Sequence, residues 1–88
     1  RNFGLKIAKE INLSQIDEEL LKKIPLEIIQ SKKIIPFREK DGVVEVITAN
    51  PFDSHALNTI KFLLKAQKVQ PIVVPISLLE ELIAQLLQ

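Results

Sequence analysis

Three adjacent residues, Asp53, Ser54 and His55, carry the side-chain types of a hydrolytic triad. A triad must align hydroxyl, imidazole and carboxylate on one substrate atom. Consecutive residues on one turn fan apart, so these three do not meet that need. His55 is the single histidine and the chain has no cysteine, so zinc ligation by nitrogen and sulfur donors lacks its ligands. The spacing places His55 in the first turn of a helix, as a surface histidine beside a cap. The carboxylate pairs Glu18-Glu19 and Glu80-Glu81 fall near predicted helix starts, where they complement the helix dipole and do not form an acid and base couple. With only Gly4 and Gly42, neither GxxxxGK[ST] nor GxGxxG can be written. Lys32-Lys33 is too short for a nucleic-acid patch and no aromatic interleaves it. No catalytic, cofactor-binding or metal-binding residue is assigned.

What remains is chemistry of contact. Phe52 precedes the best-defined helix, and Phe62 lies off the apolar stripe of that helix. Phe62 either packs against a neighbouring helix or is an exposed anchor for a protein partner. We take Phe52 and Phe62 as the candidate partner-binding residues. The leucine stripe of the last helix offers the same choice between core and interface.

The 88 residues make one domain, with twelve basic residues against eleven acidic ones. Such balance gives no long-range attraction to nucleic acid or anionic membrane. Unbroken apolar runs are only a few residues, far short of a membrane span. The chain begins with Arg1 and not Met, and is expected to be a fragment of a larger protein.

The elements that position these residues follow from periodicity and punctuation. A lead-in over 1–13 mixes strand-like alternation from Phe3 to Ile7 with the helical spacing of Ile7, Ala8 and Ile11. Ser14 and Asp17 predict a helix start, with Asp17, Glu18 and Glu19 at the dipole-favoured end. Pro25 ends that helix and opens a second, whose Leu26, Ile28 and Ile29 should face inward. Lys33–Phe37 and Val43–Ala49 predict two strands, joined by Arg38–Gly42 with its Asp-Gly hairpin signal. Asp53 suits the cap of a helix whose inner face is Ala56, Leu57, Ile60, Leu63 and Leu64. Val69–Val74 predicts a third strand. Ser77 and Glu80 then predict a capping box opening a helix striped by Leu78, Leu79, Leu82, Ile83, Leu86 and Leu87. The expected fold is α/β, in the α+β sense, with order ααββαβα and a small three-stranded mixed sheet. Prolines in the first and third strands favour Val43–Ala49 in the middle, since proline cannot complete a central ladder; the competing arrangement puts Lys33–Phe37 there.

Read together, these pieces resemble the N-terminal domain of type II secretion and type IV pilus assembly ATPases, the general secretory pathway protein E-like family. Asp17 to Pro25 is similar to its "D-x-x-L-L-x-x-I-P" opening, and Lys33 to Phe37 to a basic-x-apolar-Pro-apolar strand. Val44 to Asp53 resembles "L-x-V-A-x-x-D-P-x-D", Val69 to Val73 resembles "V-x-P" followed by two apolar residues, and Phe3-Gly4-Leu5 resembles a "Y-G-L-P" lead-in. The chain departs from that pattern at Asn50, at Lys6, and at Lys65 to Lys68, where a glycine is usual.

The resemblance implies a non-catalytic adaptor that docks a hexameric motor to the cytoplasmic domain of an inner-membrane secretion or pilus assembly protein. It implies a cytoplasmic location, peripheral to the bacterial inner membrane through that partner, with no direct insertion and no nucleic acid. It implies ATP and Mg in a later domain of the parent and none in this fragment. The alternative is a regulatory domain sensing cyclic di-GMP, as in relatives with paired "R-L-G" motifs; Arg1-Asn2-Phe3-Gly4 is not that motif and no second copy follows.

Overall fold

The fold is organised by one hairpin and one strand-helix-strand unit, seen in a computed structural model that describes residues 6–88. The Phe3-Gly4-Leu5 lead-in lies outside the described residues. Strand β1 is Lys6–Ile7, β2 is Ile34–Lys40, β3 is Val43–Thr48 and β4 is Lys68–Val73. Helix α1 is Glu18–Lys22, α2 is Leu26–Lys32, α3 is Ser54–Leu64 and α4 is Ile76–Leu86. The sheet order is β1-β4-β3-β2, with β2 antiparallel to β3 and the other two pairings parallel.

The sheet thus has four strands and not three. The fourth, β1, is two residues long and lies in the lead-in whose pattern is mixed. Two residues cannot display a period, and a parallel partner far along the chain leaves no local turn to announce it. The central placement of Val43–Ala49 holds, since β3 pairs with both β2 and β4. Pro71, however, lies in a strand with neighbours on both sides. It is tolerated there because β1 covers only Ile72 and Val73, one residue beyond it.

Asp41 and Gly42 form the hairpin turn, both with positive φ, 55° and 80°. That is the signature of a type I′ turn, so the connection is two residues and not the five from Arg38 to Gly42. The turn sets the pairs Lys40↔Val43, Glu39↔Val44 and Arg38↔Glu45. Further along, Pro36 faces Val46 and Ile35 faces Ile47, a register displaced by one residue at Phe37. This bulge reconciles two demands. The turn dictates one register, and burial of Ile34, Ile35 and Phe37 dictates the other. The Phe37 carbonyl is turned outward and accepts the Asp17 N–H at 2.8 Å, tying β2 to the start of α1.

The helices start and stop by local chemistry. Asp17 Oδ1 accepts the Glu19 N–H at 2.9 Å and caps α1. Asn12 caps a short 3-10 turn at Leu13–Gln15, so Ser14 lies inside that turn and is not a helix cap. Pro25 presets the backbone entering α2, and its carbonyl accepts from Ile28 and Ile29. Asp53 Oδ1 caps α3 through the Ala56 N–H at 3.1 Å. At α4 the expected Ser77 box is absent. Pro75, with φ −60°, already opens the helix, which leaves Ser77 as its second residue. Helices α2 and α3 end on the left-handed residues Lys33 and Lys65, both at φ 54°.

Ile35, Ile47 and Ile72 form one buried row across β2, β3 and β4. Helices α1 and α2 pack on β2, α3 on β4 and β2, and α4 on β3. Ile29, Ile60, Leu79, Leu82 and Ile83 are buried as expected, but Leu26 is 47% exposed. Leu26 is the first residue of α2, so its side chain lies beyond the end of the helix face that Ile29 places inward.

Candidate docking site

Helix α3 presents the two candidate anchors. Phe52 sits in the turn leading to its cap and is 81% exposed; Phe62, in its last turn, is 80% exposed. The two residues lie toward opposite ends of the helix, Phe52 just before its start and Phe62 in its last turn. The inward stripe of α3 is Ala56 and Ile60, with Leu57, Leu63 and Leu64 partly covered. Phe62 is two residues past Ile60, a rotation of about 200° that carries it to the opposite side. Phe37, by contrast, is buried in the sheet.

Asp53, Ser54 and His55 do not converge. Asp53 is spent on the cap, and His55 Nδ1 lies 3.0 Å from Lys32 Nζ, which belongs to α2. An ammonium only donates, so Nδ1 is the acceptor in this contact. This contact joins the end of α2 to the start of α3. Among the described residues, no group of three or more His, Cys, Asp or Glu side chains could hold a metal ion. No helix of the described residues is long and apolar enough to cross a membrane.

A cluster not anticipated from residue types lies near the hairpin end of the sheet. Glu45, on the central strand β3, is only 9% exposed. Its Oε1 accepts from Arg38 Nε at 2.5 Å, and its Oε2 pairs with Lys6 Nζ. Burial alone would raise the Glu45 pKa, but hydrogen bonds from Lys6 and Arg38, with their charges, outweigh it and hold the carboxyl below its ordinary value. The Arg38 guanidinium also lies 5.2 Å from the centre of the Phe37 ring. A hollow of about 320 Å³ opens here, lined by Lys6, Arg38, Lys40, Asp41, Val43, Glu45 and Gln70. Half of the cluster had a signal in the sequence, because a two-residue Asp-Gly turn places Arg38 opposite Glu45. Lys6 had none, since it arrives through the parallel pairing of β1.

Comparison with known proteins follows the same outline. The MshEN domain model matches residues 3–88. No curated protein matches the chain. Among solved structures, MshE with cdg superposes with a TM-score of 0.67 at 14% identity, over 88% of this chain and 57% of that one. The N-terminal domain of XpsE superposes in one crystal form with a TM-score of 0.66 at 17% identity, over 86% of this chain and 55% of that one. In a second crystal form the values are 0.60 and 16%, over 97% and 51%. This chain therefore spans a little over half the length of the solved chains it matches.

Proposed function

Because this chain belongs to the MshEN domain family, the N-terminal domains of type II secretion and type IV pilus assembly ATPases, we propose that it is a docking module. In this role it couples an assembly ATPase to the cytoplasmic part of an inner-membrane platform protein. The observation that carries the proposal is the pair of phenylalanines left almost fully exposed, Phe52 in the turn before α3 and Phe62 in its last turn, while Phe37, Ile34, Ile35, Ile47 and Ile72 of the sheet are buried. Exposed aromatics are costly to leave in water and are favoured as interface anchors. The module performs no chemistry. The ATP and Mg site belongs to a later domain of a hexameric parent, and the assembly sits in the cytoplasm against the bacterial inner membrane.

The test is calorimetric titration of this chain with the purified cytoplasmic domain of an inner-membrane secretion or pilus assembly protein from the same source. We expect binding, weakened at least about tenfold by Phe52→Ala with Phe62→Ala, with the melting temperature unchanged. No binding by the unsubstituted chain would overturn the proposal. Equal affinity in the double variant would remove the two rings from the interface.

A second role, sensing of cyclic di-GMP, is favoured by the likeness to MshE with cdg, taking cdg as that nucleotide. It needs cationic and backbone donors for two phosphates, and the sequence holds only Arg1 and Arg38 as arginines. A thermal-shift titration with cyclic di-GMP separates the two: a saturable rise in melting temperature supports sensing, and a flat response removes it.

A further inference from the structure

We propose that the hairpin end of the sheet carries a second contact surface, built to receive an acidic segment of a protein partner. This rests on the docking role above and names the partner's chemistry at a different face. Cross-strand pairs share a face of the sheet. The register therefore puts Lys40, Val43 and Lys68 in one row and Arg38, Glu45 and Gln70 in the next, with Lys6 joining from β1 through its bond to Glu45. Further up the same face the row is Ile35, Ile47 and Ile72, which is covered by the fold. The surface thus changes along the strands from buried isoleucine to open cation.

Four cations, Lys6, Arg38, Lys40 and Lys68, meet two carboxylates here, Glu45 and Asp41. The chain as a whole is nearly balanced, so this is a local excess. Glu45 holds the two inner cations in place. Arg38 spends only Nε on it, and its terminal guanidinium nitrogens have no hydrogen-bond partner among the described residues. Lys40 and Lys68 form no ion pair with a described residue. They flank Val43 from the two neighbouring strands, about 10 Å apart at two strand spacings.

That geometry favours separated carboxylates over one compact dianion. Alternate residues of an extended segment lie on one side, about 7 Å apart, and the flexible lysine stems close the difference. The fixed guanidinium offers the paired donors that a third carboxylate takes. A phosphate dianion would bring its whole charge against Glu45, which stays ionised to hold Lys6 and Arg38.

The probe is a fluorescein-labelled, eight-residue peptide of alternating Glu and Ser, compared by anisotropy with its Gln-Ser counterpart. We expect saturable, salt-weakened binding of the Glu peptide only. Lys40→Glu with Lys68→Glu should weaken it at least about tenfold. Lys22→Glu with Lys61→Glu, an equal change of net charge on α1 and α3, should not. If circular dichroism shows the first variant unfolded, Lys40→Gln with Lys68→Gln replaces it, and an unchanged affinity there overturns the proposal. So does equal loss in both charge-reversal variants, or displacement of the peptide by inorganic phosphate at matched ionic strength. Failure of the peptide alongside binding of the platform domain would leave the docking role standing and remove this surface.

Discussion

Replacing Glu45 by Gln tests whether one buried carboxylate ties three strands together. The side chain is 11% exposed and its partners Lys6 and Arg38 are 56% and 59% exposed, so the pairing lies between a buried and a surface ion pair. A surface pair contributes about 0–1 kcal/mol, and breaking a fully buried one costs about 3–5 kcal/mol. Because both cations keep most of their water, the loss should fall near the lower limit, at about 1–2 kcal/mol. For a domain of this size that lowers the melting temperature by roughly 4–15 °C at neutral pH. The pH dependence gives the sharper reading. The folded pKa is depressed, so the stabilisation is present above the ordinary glutamate value of about 4.3 and is lost as pH falls through the lower folded value. The gap between the two proteins in urea midpoint should therefore be widest near neutrality and close progressively below pH 4.3. Other carboxylates titrate in both proteins and cancel in the difference. A gap that stays constant down to pH 3, or no gap at pH 7, would refute the assignment of Glu45 as the charged link.

Other expectations follow from single residues. Lys65→Gly should raise the urea midpoint, because relief of a left-handed lysine is worth about 1–2 kcal/mol, partly offset by about 0.5–1 kcal/mol of glycine chain entropy. Gly42→Ala should destabilise by about 1 kcal/mol. Its φ of 80° suits glycine, and a Cβ there would approach Gln67 Oε1 to 2.9 Å, a contact the flexible side chain can yield. Ile60→Ala removes a fully buried side chain facing the sheet and should cost about 2–5 kcal/mol by thermal or urea unfolding.

Much of this fold is written in short-range signals. Asp41-Gly42 specifies its turn, Asp53 its cap, and the 3.6-residue spacing from Ala56 to Leu64 its buried face. Proline signals were stronger than the neighbouring polar ones: Pro75 opens α4 and overrides the Ser77 pattern. What escaped was non-local. The bulge at Phe37 exists because turn register and core register conflict, a conflict visible only once both strands are paired. The fourth strand and the Lys6 arm of the Glu45 cluster depend on residues at opposite ends of the chain. The exposure of Phe62 could be stated only as one of two alternatives, since leaving an apolar stripe does not say whether another helix covers the ring. The structure leaves it in solvent.

The short β1 strand bears on how the molecule comes together in time. Lys6 pairs with Ile72, 66 positions along the chain, while the hairpin closes over two residues. Closing a long loop carries an entropy cost before any contact rewards it, so the hairpin and the β3-α3-β4 unit are expected to assemble first and β1 to pair last. The reverse holds for opening. The Ala8 amide, bonded to the Val73 carbonyl, should exchange its hydrogen well before amides in the interior of β3. The N-terminal strand thus behaves as a latch on an already folded body. Tension or competition for that end of the chain would strip Lys6 from Glu45 while leaving the isoleucine core intact.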